Sequence, residues 1–261
     1  PGNPTFENMV IQNCIIDDNS NQAFNFKGGV FYIKAEGVDF INTKFQNNIL
    51  DLNDNVSYGG AIYIDSSNVI FANCEFKGNG SRSNNQDAKG GAIYLSDNGI
   101  IEMNVCDLDS NFVSTSGIGQ GGAIYIESDS SIIHSSNLIN NFSTSSGGAI
   151  YSKGDVSIES TYLNYNHSLD GGGIYSSGNL EIENTILSSN SATSNGGGIY
   201  VTSMEDGGIS DFSMINSTII DNSANLDGGG LHLNGNITID SSFVKLNFAG
   251  NDGAGIYGNG V

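Results

Sequence analysis

The sequence predicts an all-β fold: a right-handed single-stranded parallel β-helix of about nine coils. Three observations predict it. A Gly-Gly-small-aliphatic-Tyr unit recurs along the chain, an aliphatic-x-x-Asn unit alternates with it, and no segment keeps apolar residues at helical spacing. The first unit occupies 28–32, 59–63, 90–94, 121–125, 147–151, 171–175, 196–200, 228–232 and 253–257, with His232 in place of Tyr in the eighth. The spacings are 31, 31, 31, 26, 24, 25, 32 and 25 residues. The second unit occupies 45–48, 76–79, 108–111, 138–141, 163–166, 187–190, 219–222 and 244–247, and 16–19 precedes the first Gly pair. A propeller blade needs about 40–45 residues, and a leucine-rich repeat needs its leucine scaffold. Short alternating strands on a repeat of about 25 residues leave a solenoid in which each repeat is one coil. Stacked at the strand spacing of about 4.8 Å, nine coils give a rod on the order of 40 Å long. The repeats themselves do not encode the hand; the right hand is expected because it is the commoner one for coils of this size.

Each element has a reason. The Gly pairs allow the tight corner or positive φ that a coil requires. After them, the Ile at 62, 93, 124, 150, 174 and 199 is expected in the core. The opposite parity carries Lys34, Asp65, Glu127 and Lys153, so the Tyr column (32, 63, 94, 125, 151, 175, 200, 257) is expected at the surface. In the next strand the expected core column is Ile11, Phe40, Phe71, Met103, His134, Ile158, Ile182, Met214 and Ile239. The Asn of each second unit (Asn48, Asn79, Asn111, Asn141, Asn166, Asn190, Asn222, Asn247) is expected at a turn, as a ladder of stacked amides. The loops between Asn and Gly-Gly are long in the first four coils and short in the last five, and one insertion lies around 202–210. Such variable corners are where solenoids place specificity.

Composition narrows the function. With 8 Lys and Arg against 28 Asp and Glu, a net charge of −20 and no Lys or Arg between Lys153 and Lys245, nucleic acid and anionic membrane are poor partners. No apolar run approaches a membrane span, so this segment is not expected to insert directly. Residues 1–261 read as a single β-helix domain. With both ends inside the repeat pattern and no evident cap, it is expected to be a segment of a longer chain. No cofactor or metal site is expected, since His134, His167 and His232 lie far apart in coil number. Cys74 and Cys106 fall on neighbouring coils and are expected as buried free thiols rather than a disulfide. Asp170, Asp227 and Asp252, with Asn195, precede Gly pairs; turn capping is expected there in preference to a Ca²⁺ ladder. Of six Asn-x-Ser/Thr sequons, only Asn55 sits in a loop suited to a glycan. Carboxylates such as Glu159, Glu181 and Glu183 recur as outward strand residues, which reads as a solvated face and not a glycosidase pair.

The paired motifs Gly-Gly-Ala-Ile (literal at 59, 90, 121 and 147) and Phe-x-x-Asn (literal at 45 and 76) resemble the repeat signature of the polymorphic outer membrane proteins of chlamydiae. The resemblance runs over nearly the whole chain. It implies a right-handed β-helix in a surface-exposed passenger region, with adhesion as the usual role, and a C-terminal membrane barrel, which is not expected within residues 1–261. The expected function is therefore a non-catalytic extracellular or cell-surface adhesion or recognition solenoid, with a structural rod or filament subunit as the alternative. Its partner would be a protein or glycan surface, or a further copy along a filament. A stripe of Tyr63, Tyr94, Tyr125, Tyr151, Tyr175 and Tyr200 is the candidate binding surface, or else a ladder that only stabilises.

Overall fold

The computed structural model describes residues 2–18, 26–128, 130–204 and 206–258. Among these residues there is no helix, and every strand pair is parallel. Four nine-stranded sheets run the length of the molecule, and a three-stranded one lies beside them. This is a right-handed parallel β-helix of nine coils. One coil shows how it is built. Gly59, Gly60 and Ala61 enter Ile62–Ile64, and a corner leads to Asn68–Ala72. A bend at Asn73 leads to Glu75–Lys77, and a second at Gly78 leads to Gly80–Ser83. A loop then returns through Ala88–Lys89 to the next Gly pair.

Three corners are made by left-handed backbone. Two columns of mostly non-glycine residues turn the first sheet, that of Asn68–Ala72, into the second, that of Glu75–Lys77 (Asn42, Asn73, Val105, Ser135), and the second into the third, that of Gly80–Ser83 (Asn47, Ser110, Asn140, Tyr165, Leu246), all with φ near +50 to +59°. The third corner is the first glycine of each pair. Gly59 has φ +71°, and a Cβ there would stand 2.1 Å from the Ile62 carbonyl oxygen. Its neighbour Gly60 is needed for another reason. A Cβ on Gly60 would meet the Gly91 oxygen of the next coil at 2.1 Å and the Gly80 backbone at 2.3 Å. One glycine turns the chain; the other lets two sheets and two coils touch.

The core is the set of inward columns. Ile62, Ile93, Ile124, Ile150, Ile174 and Ile199 are paired in register and fully buried. Phe45, Phe76, Leu108, Leu138, Leu163 and Leu187 form a second column, equally buried. Each such side chain contributes about 1.5–3 kcal/mol of burial. The third column differs in two places from the sequence expectation. It runs Phe6, Phe40, Phe71, Met103, Ile133, Ile158, Ile182, Met214, Ile239. Ile133, not His134, points inward, and Ile11 belongs to the next sheet, opposite Phe45. The reason is a fixed interval: the inward residues of these two strands are always five apart, as in Phe71 and Phe76, so Leu138 demands Ile133 and Ile11 demands Phe6. His134 instead lies half-exposed on the outer face, 3.8 Å from the Glu159 carboxylate.

The asparagines follow the second bend. Asn79 shows the pattern: its Oδ1 accepts from the backbone N–H of Asn48 at 3.1 Å and from Asn48 Nδ2 at 2.9 Å. Its own Nδ2 donates to the Phe45 carbonyl at 2.9 Å and to Asn111 Oδ1 at 3.0 Å. The same bonds pass through Asn111, Asn141, Asn166, Asn190 and Asn222 to Asn247. In the first coil the place belongs to Cys14, whose N–H donates to Asn48 Oδ1 at 3.1 Å. Residues 16–19 are therefore not a further copy of the unit. Ile15–Asp18 is a strand of the third sheet, paired with Ile49–Leu52, and Asn19 lies outside the described residues.

Two outcomes follow. Asn111→Ala strips the buried Asn79 amide groups of their acceptor and the Phe76 carbonyl of its donor, so chemical denaturation should show a loss of ~3–5 kcal/mol. Val105→Asn should raise stability by about 1 kcal/mol in the same measurement. A β-branched, exposed residue then gives way to one that tolerates positive φ, and the exposed amide row of Asn8, Asn42 and Asn73 gains a member.

Candidate interaction surface

The tyrosines after the Gly pairs stack along the rod. Tyr94, Tyr125, Tyr151, Tyr175 and Tyr200 follow one another at ring-centroid distances of 5.0 Å, and their planes are within 8° of parallel. Tyr63 and Tyr32 continue the row in one direction, His232 and Tyr257 in the other. The rings spend their faces on each other; only edges and hydroxyls face outward.

The expectation of a surface column fails for much of the row. Tyr63, Tyr94, Tyr125 and Tyr151 are at most 5% exposed and form a second apolar cluster of their own, while Tyr175 and Tyr200 are half-buried. The cover comes from the residue just before each Gly pair. Those residues stack as one column: Lys27, Tyr58, Lys89, Gln120, Ser146, Asp170. In the coils with long loops they lie over the rings. Tyr58 meets Tyr94 edge-on at 4.8 Å and Tyr63 at 6.0 Å. Lys27 Nζ stands 4.4 Å from the Tyr63 ring centre and 3.0 Å from its hydroxyl, and Lys89 Nζ stands 5.0 Å from the Tyr125 ring centre. The long loops make this possible, because they supply the three-stranded sheet Ser57–Tyr58, Ala88–Lys89, Gly119–Gln120. The sequence held the signal: the same position reads Lys, Tyr, Lys early and Asp, Asn, Asp, Asp late.

Charge is arranged around this cluster. Burial, and then the hydrogen bond to Glu127, raises the Tyr94 hydroxyl well above the usual phenol range; burial also raises Tyr125. Both hydroxyls stay protonated and donate to the Glu127 carboxylate, Tyr125 at 3.2 Å. On the outer faces, Lys44 pairs with Glu75 at 2.8 Å and Lys77 with Asp109 at 3.1 Å. The Lys44 hydrogen bond holds Glu75 below the ordinary carboxylate range.

Late in the column, Asp170 Oδ1 accepts the Asn195 N–H at 3.0 Å, and Asp227 Oδ1 accepts the Asp252 N–H at 2.9 Å. These carboxylates cap the corner of the following coil. Asn79, Asn141 and Asn166, matches to the glycan sequon, are buried ladder members. Cys74 and Cys106 are free, and each thiol donates to a backbone carbonyl of the preceding coil (Phe40 and Phe71, at 3.3 and 3.4 Å). The hydrogen bond with Cys74, then burial, pushes the Cys106 thiol up, so it stays protonated. The loop tips at Asn84, Asn85, Ser116 and Ile118 are exposed. Glu159 and Glu183 are register partners on the outer face of the first sheet, and Glu181 lines a shallow groove of about 380 Å³ there with Asp155 and Asp211.

The geometry defines a β-helical repeat protein: a constant core, two internal ladders and variable corners. Three stretches, residues 73–96, 135–153 and 184–202, match the family model described as the Chlamydia polymorphic membrane protein repeat. Each stretch carries one aliphatic-x-x-Asn unit and the Gly pair that follows it, so the chain carries repeats of this type. No curated protein and no solved structure matches the chain.

The cover makes Tyr125 and Tyr200 unequal. Tyr125→Ala should cost ~3–5 kcal/mol and Tyr200→Ala clearly less, as read from denaturant midpoints. His232 is a pH probe. Burial lowers its pKa from 6.5, more than the Asp227 charge raises it. Below pH 6.5 the unfolded chain binds a proton that the folded imidazole refuses, so its contribution is present above 6.5 and lost as the pH falls. His232→Tyr, which continues the ladder, should raise the melting temperature at pH 5 by more than at pH 7.5.

Proposed function

We propose that this chain is a non-catalytic rod exposed at a cell surface, acting in adhesion or recognition through its long-loop coils. The observation that carries this reading is the match of three stretches to a membrane-protein repeat family, joined to a rod whose corners alone vary. The loops of coils two to four serve twice: their inner ends seal the tyrosine cluster, and their tips project Asn85, Ser116 and Ile118 into solvent. The outward carboxylates Glu159, Glu181 and Glu183 are spread over an open sheet face, which suits solvation better than acid–base catalysis. A spacer role is the second reading, favoured by ladders that pass from coil to coil without interruption.

The test is adhesion of beads coated with the purified chain to cultured animal cells. Asn85→Lys combined with Ile118→Lys should cut bead attachment at least about fivefold with an unchanged melting temperature. Attachment no better than that of uncoated beads would contradict the adhesive reading and favour the spacer.

A further inference from the structure

The column before the Gly pairs changes from cationic and aromatic to acidic along the rod while the ladder beside it stays aromatic. Over the early rings it places Lys27, Tyr58 and Lys89; over the late rings it places Asp170, Asn195, Asp227 and Asp252. The late side chains are short, and Asp170 and Asp227 are turned to the backbone N–H of the next coil. Tyr200 and His232 are left half-buried and stacked at 4.5 Å. In the column, Asp170 stands one coil before Tyr200 and Asp227 in the coil of His232, and the negative charge of Asp170 raises the Tyr200 hydroxyl pKa after burial does. Leu169 and Leu226, each just before an Asp of the column, are more than 40% exposed. No Lys or Arg occurs between 153 and 245.

The molecule thus shows in its early coils what covers such a ladder: ammonium groups beside the ring edges and hydroxyls, and an aromatic ring set edge-on. The late coils present the same ladder with that cover missing and negative charge in its place. We propose that the strip formed by Tyr200 and His232, edged by Asp170 and Asp227, docks an extended polypeptide segment bearing lysine and aromatic side chains. The segment would supply from outside what Tyr58 and Lys89 supply from within, with its ammonium groups between the rings and the carboxylates. This gives the recognition reading a partner class, but it stands on the cover geometry and fails separately from that reading.

The experiment is fluorescence anisotropy on the whole chain with a labelled peptide of four Lys-Tyr repeats. Because a protein of net charge −20 attracts any polycation, controls decide the result. Asp170→Asn with Asp227→Asn keeps the acceptor oxygens and should weaken binding at least about tenfold. The charge-matched Glu181→Gln with Glu183→Gln, on the first sheet, should change it less than about twofold. Asn195→Lys, which copies Lys89 into the late column, should close the strip and also weaken binding about tenfold. Four Lys-Ser repeats should bind at least about fivefold more weakly than the Lys-Tyr peptide. Equal losses in the two carboxylate pairs, or equal binding of both peptides, would overturn the proposal. So would binding of cellohexaose without binding of the Lys-Tyr peptide. Bead attachment to cells that persists while the peptide fails to bind would also overturn it, and would leave the recognition reading in place at the loop tips.

Discussion

The buried asparagine amides hold neighbouring coils at one register, and the rest of the molecule depends on that register. A one-residue slip would turn the inward Ile, Phe and Leu columns outward, but a two-residue slip keeps each side chain on its own face, so burial alone does not prevent it. A side-chain amide that must accept two N–H groups from one side and donate to a carbonyl and another amide is satisfied at a single offset. The low dielectric around it makes any other offset expensive. Once the amides are aligned, every other column falls into place: the inward Ile and Phe columns, the tyrosines and the residues before the Gly pairs.

The two ladders divide the labour. The amide ladder is inside the coil and is continuous from Asn48 to Asn247. The ring ladder is outside the coil, and its environment changes along the rod, sealed by Lys27, Tyr58 and Lys89 early and bordered by carboxylates late. The early coils thereby gain a second apolar cluster, which is what their longer loops accomplish structurally. The same loops project their tips, so stability and surface variation share one element. The late coils have short corners and half-buried rings. One scaffold thus carries two chemically different surfaces, set by a single column position.

Much of the fold was legible because a repeat prints its geometry many times over. Nine Gly pairs and the alternating Asn units specify a coil, and the Ile column betrays its inward face by the charges on the opposite parity. Single-residue parity was less secure. His134 reads as inward beside Ile133 until the five-residue interval to Leu138 is imposed, and Ile11 reads as the partner of Phe40 until Phe6 is counted the same way. Parity also says only that a side chain leaves the coil, not that it meets water. Tyr125 leaves the coil and is fully buried, because Lys89 and the strand pieces beside it come from loops whose path no periodicity encodes. The left-handed corners were half visible: Asn and Gly suggest them, whereas Val105, Tyr165 and Leu246 occupy the same backbone only because the columns on either side compel it.

Hydrogen exchange of the asparagine side-chain amides, followed by NMR on protein labelled with ¹⁵N at asparagine, tests whether the amide ladder fixes the register. The Nδ2 protons of Asn79, Asn111, Asn141, Asn166 and Asn190 should exchange as slowly as the core backbone amides, persisting for hours while those of exposed Asn84 and Asn85 vanish at once. Exchange of the five at the rate of the exposed pair would contradict it, since amides open to water cannot fix the register of the coils.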